Sequence, residues 1–431
     1  MLHEKTAPMS KVLAVAGLIV YFIIVQRALP EPIQNDAAVY RAGAKVALES
    51  RSPYDTALIQ AEVARLLPPK HPEDVALNCG FFLPPQAIVV FAPLALVDAT
   101  GNGLSAGWCF VLTAFGLACG TLAWTFGRSP IRRGTGWVAI VLALLLNPVT
   151  QVSLVVGQTG LLLAGCIALG QFCFERGRPR LGCFFWAIIF IKPHLAIPFF
   201  VRAWILGGWQ RAVGIALFSA ILNFFGGLIA YGTIGGAVHL FGEYLEYVGS
   251  AHKSVFFNLV EQNYQILSWN RLLAALGGPA IDLKIGTILA GFALWGLLIY
   301  GRFQFRPLSR KRSDDAYLVA VTAVGALFFA QVLAYEMVLL VLLAPLILQH
   351  FDAGRRGDAW LLVGLLLFLS VPIDIVDRLG DLLRLAEESR GRTLLRSHKS
   401  FGMALLAIYL LGRGPMVNCS PSSADSVRPP E

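Results

Sequence analysis

The sequence predicts an all-α polytopic membrane protein with about a dozen transmembrane helices. Three observations carry this. Apolar residues make up 56% of the chain and charged residues only 14%, the mean hydropathy is +0.66, and the apolar residues fall in long unbroken runs. A soluble domain carries about 25% charge, and a soluble interior has no room for this much apolar surface. Within lipid the backbone must satisfy its own hydrogen bonds, which leaves helices or a closed barrel. Continuous runs, rather than alternation with period two, select helices.

Taken in order, Lys5 and Lys11 precede the apolar stretch Val12 to Val25, and the chain then reads Gln26-Arg27-Ala28-Leu29-Pro30. With no small-residue cleavage site there, 11–29 is expected to be an uncleaved first span with its N-terminus in the cytoplasm. Further spans are expected at 104–126, 136–156, 158–174, 212–231, 285–301, 316–333, 336–350, 359–376 and 400–413, with a broken pair, 181–191 and 194–206, around Lys192-Pro193. Basic clusters at Arg128 to Arg133, Arg176 to Arg180, Arg302 to Arg312 and Arg355-Arg356 lie between the runs, where the positive-inside rule puts them. If these loops all face the cytoplasm, parity makes 81–97 a re-entrant or surface half-helix on the outer side, bent by Pro84-Pro85; the alternative is a true crossing, which would put Arg128 to Arg133 outside, and 377–399, with six Lys/Arg and four Asp/Glu, fits poorly as an outer loop. The segments 30–80 and 232–284 are then outer loops. Tyr40, Ala44, Ala47 and Leu48 share one helical face, as do Leu240, Phe241, Tyr244, Leu245 and Val248, so both are expected to carry amphipathic helices lying on the membrane. Residues 1–413 form one transmembrane domain in this reading, and 414–431 a disordered cytoplasmic tail.

The net charge of +9 comes from these loop clusters and does not indicate a nucleic-acid partner. Seven scattered cysteines, with no CxxC pair, imply neither a disulfide framework nor a zinc site. No P-loop, Rossmann glycine pattern, HExxH or GxSxG elbow is present, which disfavours nucleotide-driven transport and soluble nucleotide-sugar chemistry. No cofactor and no metal are called for.

Polar groups in apolar surroundings are the functional candidates. Asp36 follows the first span and opens the helix that carries Tyr40. It is either a helix cap or a carboxylate placed to take a proton from an acceptor hydroxyl. Lys192, in Ile191-Lys192-Pro193-His194, either snorkels to an interface or meets a lipid phosphate. His194 beside it is either a hydrogen-bonded structural histidine or a base. Tyr335-Glu336 is either the turn of a helical hairpin or a group that binds sugar hydroxyls. Gln158, after Gly157, is a weaker candidate of the same kind, since a lone glutamine often bonds only to a neighbouring helix. Glu261-Gln262-Asn263-Tyr264 and Trp269-Asn270-Arg271 mix amide, charge and aromatic groups, as carbohydrate sites and ordinary interfacial loops both do.

Read together, these segments resemble glycosyltransferase family 87, polytopic enzymes of the C-type glycosyltransferase superfamily. The resemblance runs through Asp36-Ala37-Ala38-Val39-Tyr40-Arg41-Ala42-Gly43, Pro53-Tyr54-Asp55, Phe81-Phe82-Leu83-Pro84-Pro85 with Ala92-Pro93-Leu94, Gly157-Gln158-Thr159-Gly160, Ile191-Lys192-Pro193-His194 and Tyr335-Glu336-Met337. It covers residues from about 10 to 350. The family commonly has Tyr-Pro-Pro where this chain has Leu83-Pro84-Pro85, Gln-Asn where it has Gln158-Thr159, and Tyr-Asp where it has Tyr335-Glu336.

The resemblance implies a C-type fold and inverting transfer of a sugar, mannose or another hexose, from a polyprenyl-phosphate-linked donor to a glycan or glycolipid acceptor. It implies Asp36 as general base, Lys192 and His194 at the donor phosphate, and Tyr40, Arg41, Gln158, Asn263, Arg271, Tyr335 and Glu336 around the substrates. It places the enzyme in the inner (plasma) membrane, in contact with the lipid bilayer, with its site on the periplasmic face. A phosphate is a good leaving group, so one base and a cationic phosphate contact suffice. Two other readings stand beside it. One is a transporter or flippase of a lipid-linked glycan, which would be expected to show repeated halves. The other is a non-catalytic scaffold, in which Asp36 and Lys192 would be replaceable.

Overall fold

The computed structural model describes residues 35–66, 80–97, 150, 153, 157–251, 266–267, 269–277, 285–305, 312–329, 332–371, 373–386 and 389–413. The expected spans 11–29 and 104–126, most of 136–156, Asn263 and the tail 414–431 lie outside these residues.

The described chain is helical apart from one short β pairing. Its first half holds α1 (Asn35–Leu48), α2 (Thr56–Leu66), α3 (Gln86–Val97), α4 (Gly160–Glu175), α5 (Pro179–Ile188, continued by a 3-10 turn to Ile191), α6 (Pro193–Gly207), α7 (Trp209–Tyr231) and α8 (Ile234–Ala251). Next come β1 (Ile266–Leu267), α9 (Trp269–Ala275), α10 (Ile285–Phe305), α11 (Arg312–Phe329) and β2 (Val332–Leu333). A 3-10 helix (Ala334–Leu343) leads into α12 (Ala344–Asp352), α13 (Arg356–Leu369), α14 (Ile373–Leu382), α15 (Arg390–Arg396) and α16 (His398–Arg413). β1 and β2 pair antiparallel, with Ile266 opposite Leu333 and Leu267 opposite Val332.

The expected dozen crossings are not found among the described residues. Among the described residues one helix, α7, is long and apolar enough to cross a membrane, with 23 residues and a mean hydropathy of 2.1. The other apolar runs resolve into helices of 10–17 residues, among them Gly160–Glu175 and Ala316–Phe329. At 1.5 Å per residue a 16-residue helix reaches about 24 Å, short of a hydrocarbon core of about 30 Å. The assignment to a multi-pass inner-membrane protein with a periplasmic site is corrected on the same finding. Hydropathy counts apolar residues, but Pro193 and positive-φ glycines that end helices, such as Gly208 (φ 75°) after α6, cut the runs into shorter pieces.

The expected surface helices are also corrected. α1 is a core helix: Ala42, Ala44 and Ala47 are fully buried, and Arg41, opposite the apolar face, is buried too. In α8, Leu240 and Tyr244 face inward, while Phe241 and Leu245, expected beside them, are exposed. Glu243 turns inward to accept hydrogen bonds from Ser52 Oγ (2.6 Å) and Tyr231 OH (2.9 Å). The segment 377–399 is not a loop. It contains part of α14 and all of α15, joined by Arg392 to Asp381 (2.8 Å) and Arg396 to Asp377 (2.5 Å).

Two packing motifs position the site. The Pro53-Tyr54-Asp55 segment is structural. Asp55 Oδ1 accepts from Ala57 N (2.9 Å) and Leu58 N (3.3 Å), capping α2, and Tyr54 OH donates to Leu83 O (3.0 Å), pinning the turn before Pro84-Pro85. That turn starts α3, which packs on α1, α5 and α7. Fully buried Gln86 joins them. Its side-chain oxygen accepts from Ser219 Oγ (2.9 Å) and Asn223 Nδ2 (3.2 Å), its amide donates to Ala187 O (3.4 Å), and its backbone N–H donates to Asn223 Oδ1 (3.1 Å).

Candidate functional site

Four interruptions of regular helix meet at one place. The first is the start of α1, where Asp36 lies in the first turn. The second is Gly157, whose left-handed backbone (φ 74°) turns the chain into Gln158 ahead of α4. A Cβ on Gly157 would sit 2.5 Å from Cβ of Ala37, so only glycine lets this turn press against the residue next to Asp36.

The third interruption is Lys192. A residue before proline is pushed out of the α region, and Lys192 is extended (φ −125°, ψ 85°) between the 3-10 end of α5 and Pro193 at the start of α6. Its carbonyl accepts from the amides of Leu195 (3.0 Å) and Ala196 (3.1 Å), so the break is an ordered helix start. The fourth is the 3-10 helix, whose tighter winding runs for ten residues and carries Glu336 in its first turn. The β1–β2 pair anchors the strand that feeds directly into it.

Lys192 Nζ donates to Gln158 Oε1 at 2.9 Å and to Glu336 Oε1 at 2.5 Å. Tyr40 OH donates to the same Gln158 oxygen at 3.1 Å, and its ring stacks on Phe91 at 4.9 Å between centroids. His194 Nε2 lies 3.8 Å from the second oxygen of Glu336. Lys192, Gln158, Glu336 and Tyr40 are all buried, whereas His194 is partly exposed. An ion pair this enclosed carries a large desolvation penalty, which its short contact and added hydrogen bonds offset.

Asp36 is partly exposed at the edge of this cluster. Burial raises its pKa from 3.8 to about 6; the positive charge of Lys192 opposes the rise and the negative charge of Glu336 adds to it. A carboxylate that titrates near 6 is ionised at neutral pH yet more basic than an ordinary aspartate, which suits a general base.

The structure thus brings together Asp36, Tyr40, Gln158, Lys192, His194 and Glu336 from among the sequence candidates. Tyr335 lies in the same turn as Glu336. Arg41, one residue beyond Tyr40, senses the charges of Arg65 and Glu62 on α2. Arg271, also buried, donates to Ser397 Oγ (3.3 Å) at the junction of α15 and α16. Sequence reasoning missed Gln86 and Asn223, which fix α3 against α7; a glutamine directly after Pro84-Pro85 in an apolar run was the available signal. Among the described residues no group of three or more His, Cys, Asp or Glu side chains is arranged to hold a metal ion.

No curated protein matches the chain. The family model of glycosyltransferase family 87 matches residues 81–334, more than half of the sequence. The matched part contains Gln158, Lys192 and His194, while Asp36 and Tyr40 precede it and Glu336 follows it. A cluster of buried ion pair and basic carboxylate assembled around this matched segment accords with transferase activity, and the chain belongs to glycosyltransferase family 87.

Proposed function

We propose that the protein transfers a hexose, with inversion, from a polyprenyl-phosphate-linked donor to a hydroxyl of a glycan or glycolipid acceptor, with Asp36 as general base. The observation that carries this is the raised, partly exposed carboxylate of Asp36 beside the Lys192–Glu336 pair. The acceptor oxygen attacks the anomeric carbon as its proton passes to Asp36. The bond from that carbon to the phosphate oxygen breaks, and its electron pair leaves with the lipid phosphate. Negative charge grows on the leaving phosphate, and a fixed cation in a poorly hydrated site stabilises it without reorganisation. His194, partly exposed in the first turn of α6, and Lys192 behind it are the groups assigned to that phosphate. Because Lys192 is engaged with Glu336 and Gln158, its charge acts mainly through the local field and His194 is the more accessible contact. Tyr40, Gln158 and Tyr335-Glu336 are assigned to the sugar, as Arg41, Asn263 and Arg271 are by resemblance alone.

A lipid-borne donor is supported by a cavity of about 620 Å³ lined by Phe190, Ile197, Phe200, Ala216, Phe224 and Phe241 among others. Phe190 is two residues from Lys192, so the apolar cavity lies close to the proposed phosphate site. Helix α7, the candidate span, forms one wall and exposes Val213, Leu217 and Phe225, a surface suited to lipid. The test is single-turnover transfer from a synthetic short-chain polyprenyl-phosphate hexose, with the anomeric configuration of the product read by NMR. An inverted product supports the reading. Transfer from a nucleotide sugar but not from the lipid phosphate would overturn it.

A further inference from the structure

A second cavity, cationic rather than apolar, lies away from the Asp36 cluster. It has a volume of about 90 Å³ and is lined by Gln171, Phe174, Glu175, Trp186, Arg202 and Arg211, with Ala203 beside them. Measured along α6, Arg202 is ten residues from Lys192, about 15 Å at the helical rise. The two sites are therefore separate.

Both guanidiniums are held in place. Arg202 is buried, lies over the Trp186 ring at 5.3 Å, and donates from Nη1 to Gln171 Oε1 at 3.0 Å. Arg211, half-buried, lies over the Phe174 ring at 4.8 Å. The rings are fixed in turn, with Trp186 Nε1 donating to Ile167 O at 3.1 Å and Phe174 meeting Trp186 edge-on at 5.2 Å. One carboxylate shares the cavity. Glu175 Oε1 accepts from Gln171 Nε2 at 3.2 Å. Two guanidiniums against one carboxylate leave the cavity cationic, and exposed Arg176, Arg178 and Arg180 add charge nearby.

The cavity has room for a tetrahedral anion between the two guanidiniums. Guanidinium forks match phosphate oxygens in charge and geometry. We propose that this cavity binds a phosphate group. A phospholipid headgroup and free phosphate both offer that chemistry, and the surroundings favour the headgroup. Trp204, Ile205 and Trp209 are exposed around the turn between α6 and α7, at the start of the helix that, among the described residues, is long and apolar enough to cross a membrane. Tryptophan is enriched at the membrane–water boundary, and basic pockets there take anionic headgroups.

The experiment is thermal melting of the purified, detergent-solubilised full chain. It is titrated separately with short-chain phosphatidylglycerol, phosphatidylcholine of the same chain length, and inorganic phosphate. Phosphatidylglycerol is expected to raise the melting temperature more than phosphatidylcholine. Arg211→Gln, at a half-buried position, is expected to weaken that response by about tenfold in apparent affinity. Arg202→Lys keeps the charge, loses the fork, and is expected to fall between the two. A response to inorganic phosphate with the same arginine dependence supports the phosphate site and assigns it to the free anion. Equal responses to the two lipids with none to phosphate, or a response unchanged in Arg211→Gln, overturns the proposal.

Discussion

Asp36→Asn separates the roles open to that carboxylate, because asparagine caps a helix about as well as aspartate but cannot accept a proton at neutral pH. Two effects of opposite sign are expected. The first is on rate: a positioned base contributes about 10²–10⁴-fold, so single-turnover sugar transfer should slow by at least about a hundredfold. The second is on stability. Burial raises the pKa of Asp36 from 3.8 to about 6, so the native state holds its proton more tightly than the unfolded chain. Stability linked to this group is present in full below pH 3.8 and is lost as pH rises through about 6. Two pKa units correspond to about 3 kcal/mol, and partial exposure of the carboxylate trims this to about 1–2 kcal/mol. The asparagine variant should therefore be more stable than the parent at pH 7 and nearly equal at pH 4. The assay is transfer of labelled hexose from a synthetic polyprenyl-phosphate donor, paired with thermal melting at the two pH values. For the parent, kcat/KM should fall about tenfold per pH unit below pH 6. Near-parental transfer by the variant would refute the base. Lower stability at pH 7 would refute the electrostatic reasoning, because it would make the carboxylate a net stabilising partner of Lys192.

Lys192→Met should leave Glu336 buried without its cation and destabilise the protein by about 3–5 kcal/mol, with part of that recovered in Lys192→Met/Glu336→Met; chemical denaturation of the three proteins measures it. Gly157→Ala should cost about 1–3 kcal/mol, because alanine at φ 74° is strained and its methyl meets Ala37, and transfer activity should fall as the Gln158 turn moves from α1. Tyr54→Phe should lose the hydrogen bond to Leu83 and about 1 kcal/mol of stability while the pH profile of transfer stays parental, and a changed profile would argue against its purely structural role.

The sequence by itself singled out candidate residues more than it showed how the chain is arranged around them. Asp36, Gln158, Lys192, His194 and Glu336 stood out as polar groups at breaks in apolar runs, and the breaks have local causes: proline after Lys192, a left-handed glycine before Gln158. Those causes act over one or two residues, so they are legible in sequence. Family membership was legible for the same reason, through short motifs in order. The number and course of spans was not legible, because hydropathy records apolar content without recording whether an apolar face meets lipid or another helix. Core helix α1 and its buried Arg41 illustrate this, as does α8 with Glu243 turned inward. Only tertiary packing decided that Gln158 and Glu336, 178 residues apart in the chain, share one lysine. Only packing showed that Lys192 is buried in an ion pair, and that the Pro53-Tyr54-Asp55 segment serves as cap and clamp. The pKa of Asp36 belongs to the same class. It is set by burial and by charges on two other segments, and no feature of the residues next to it in sequence encodes either.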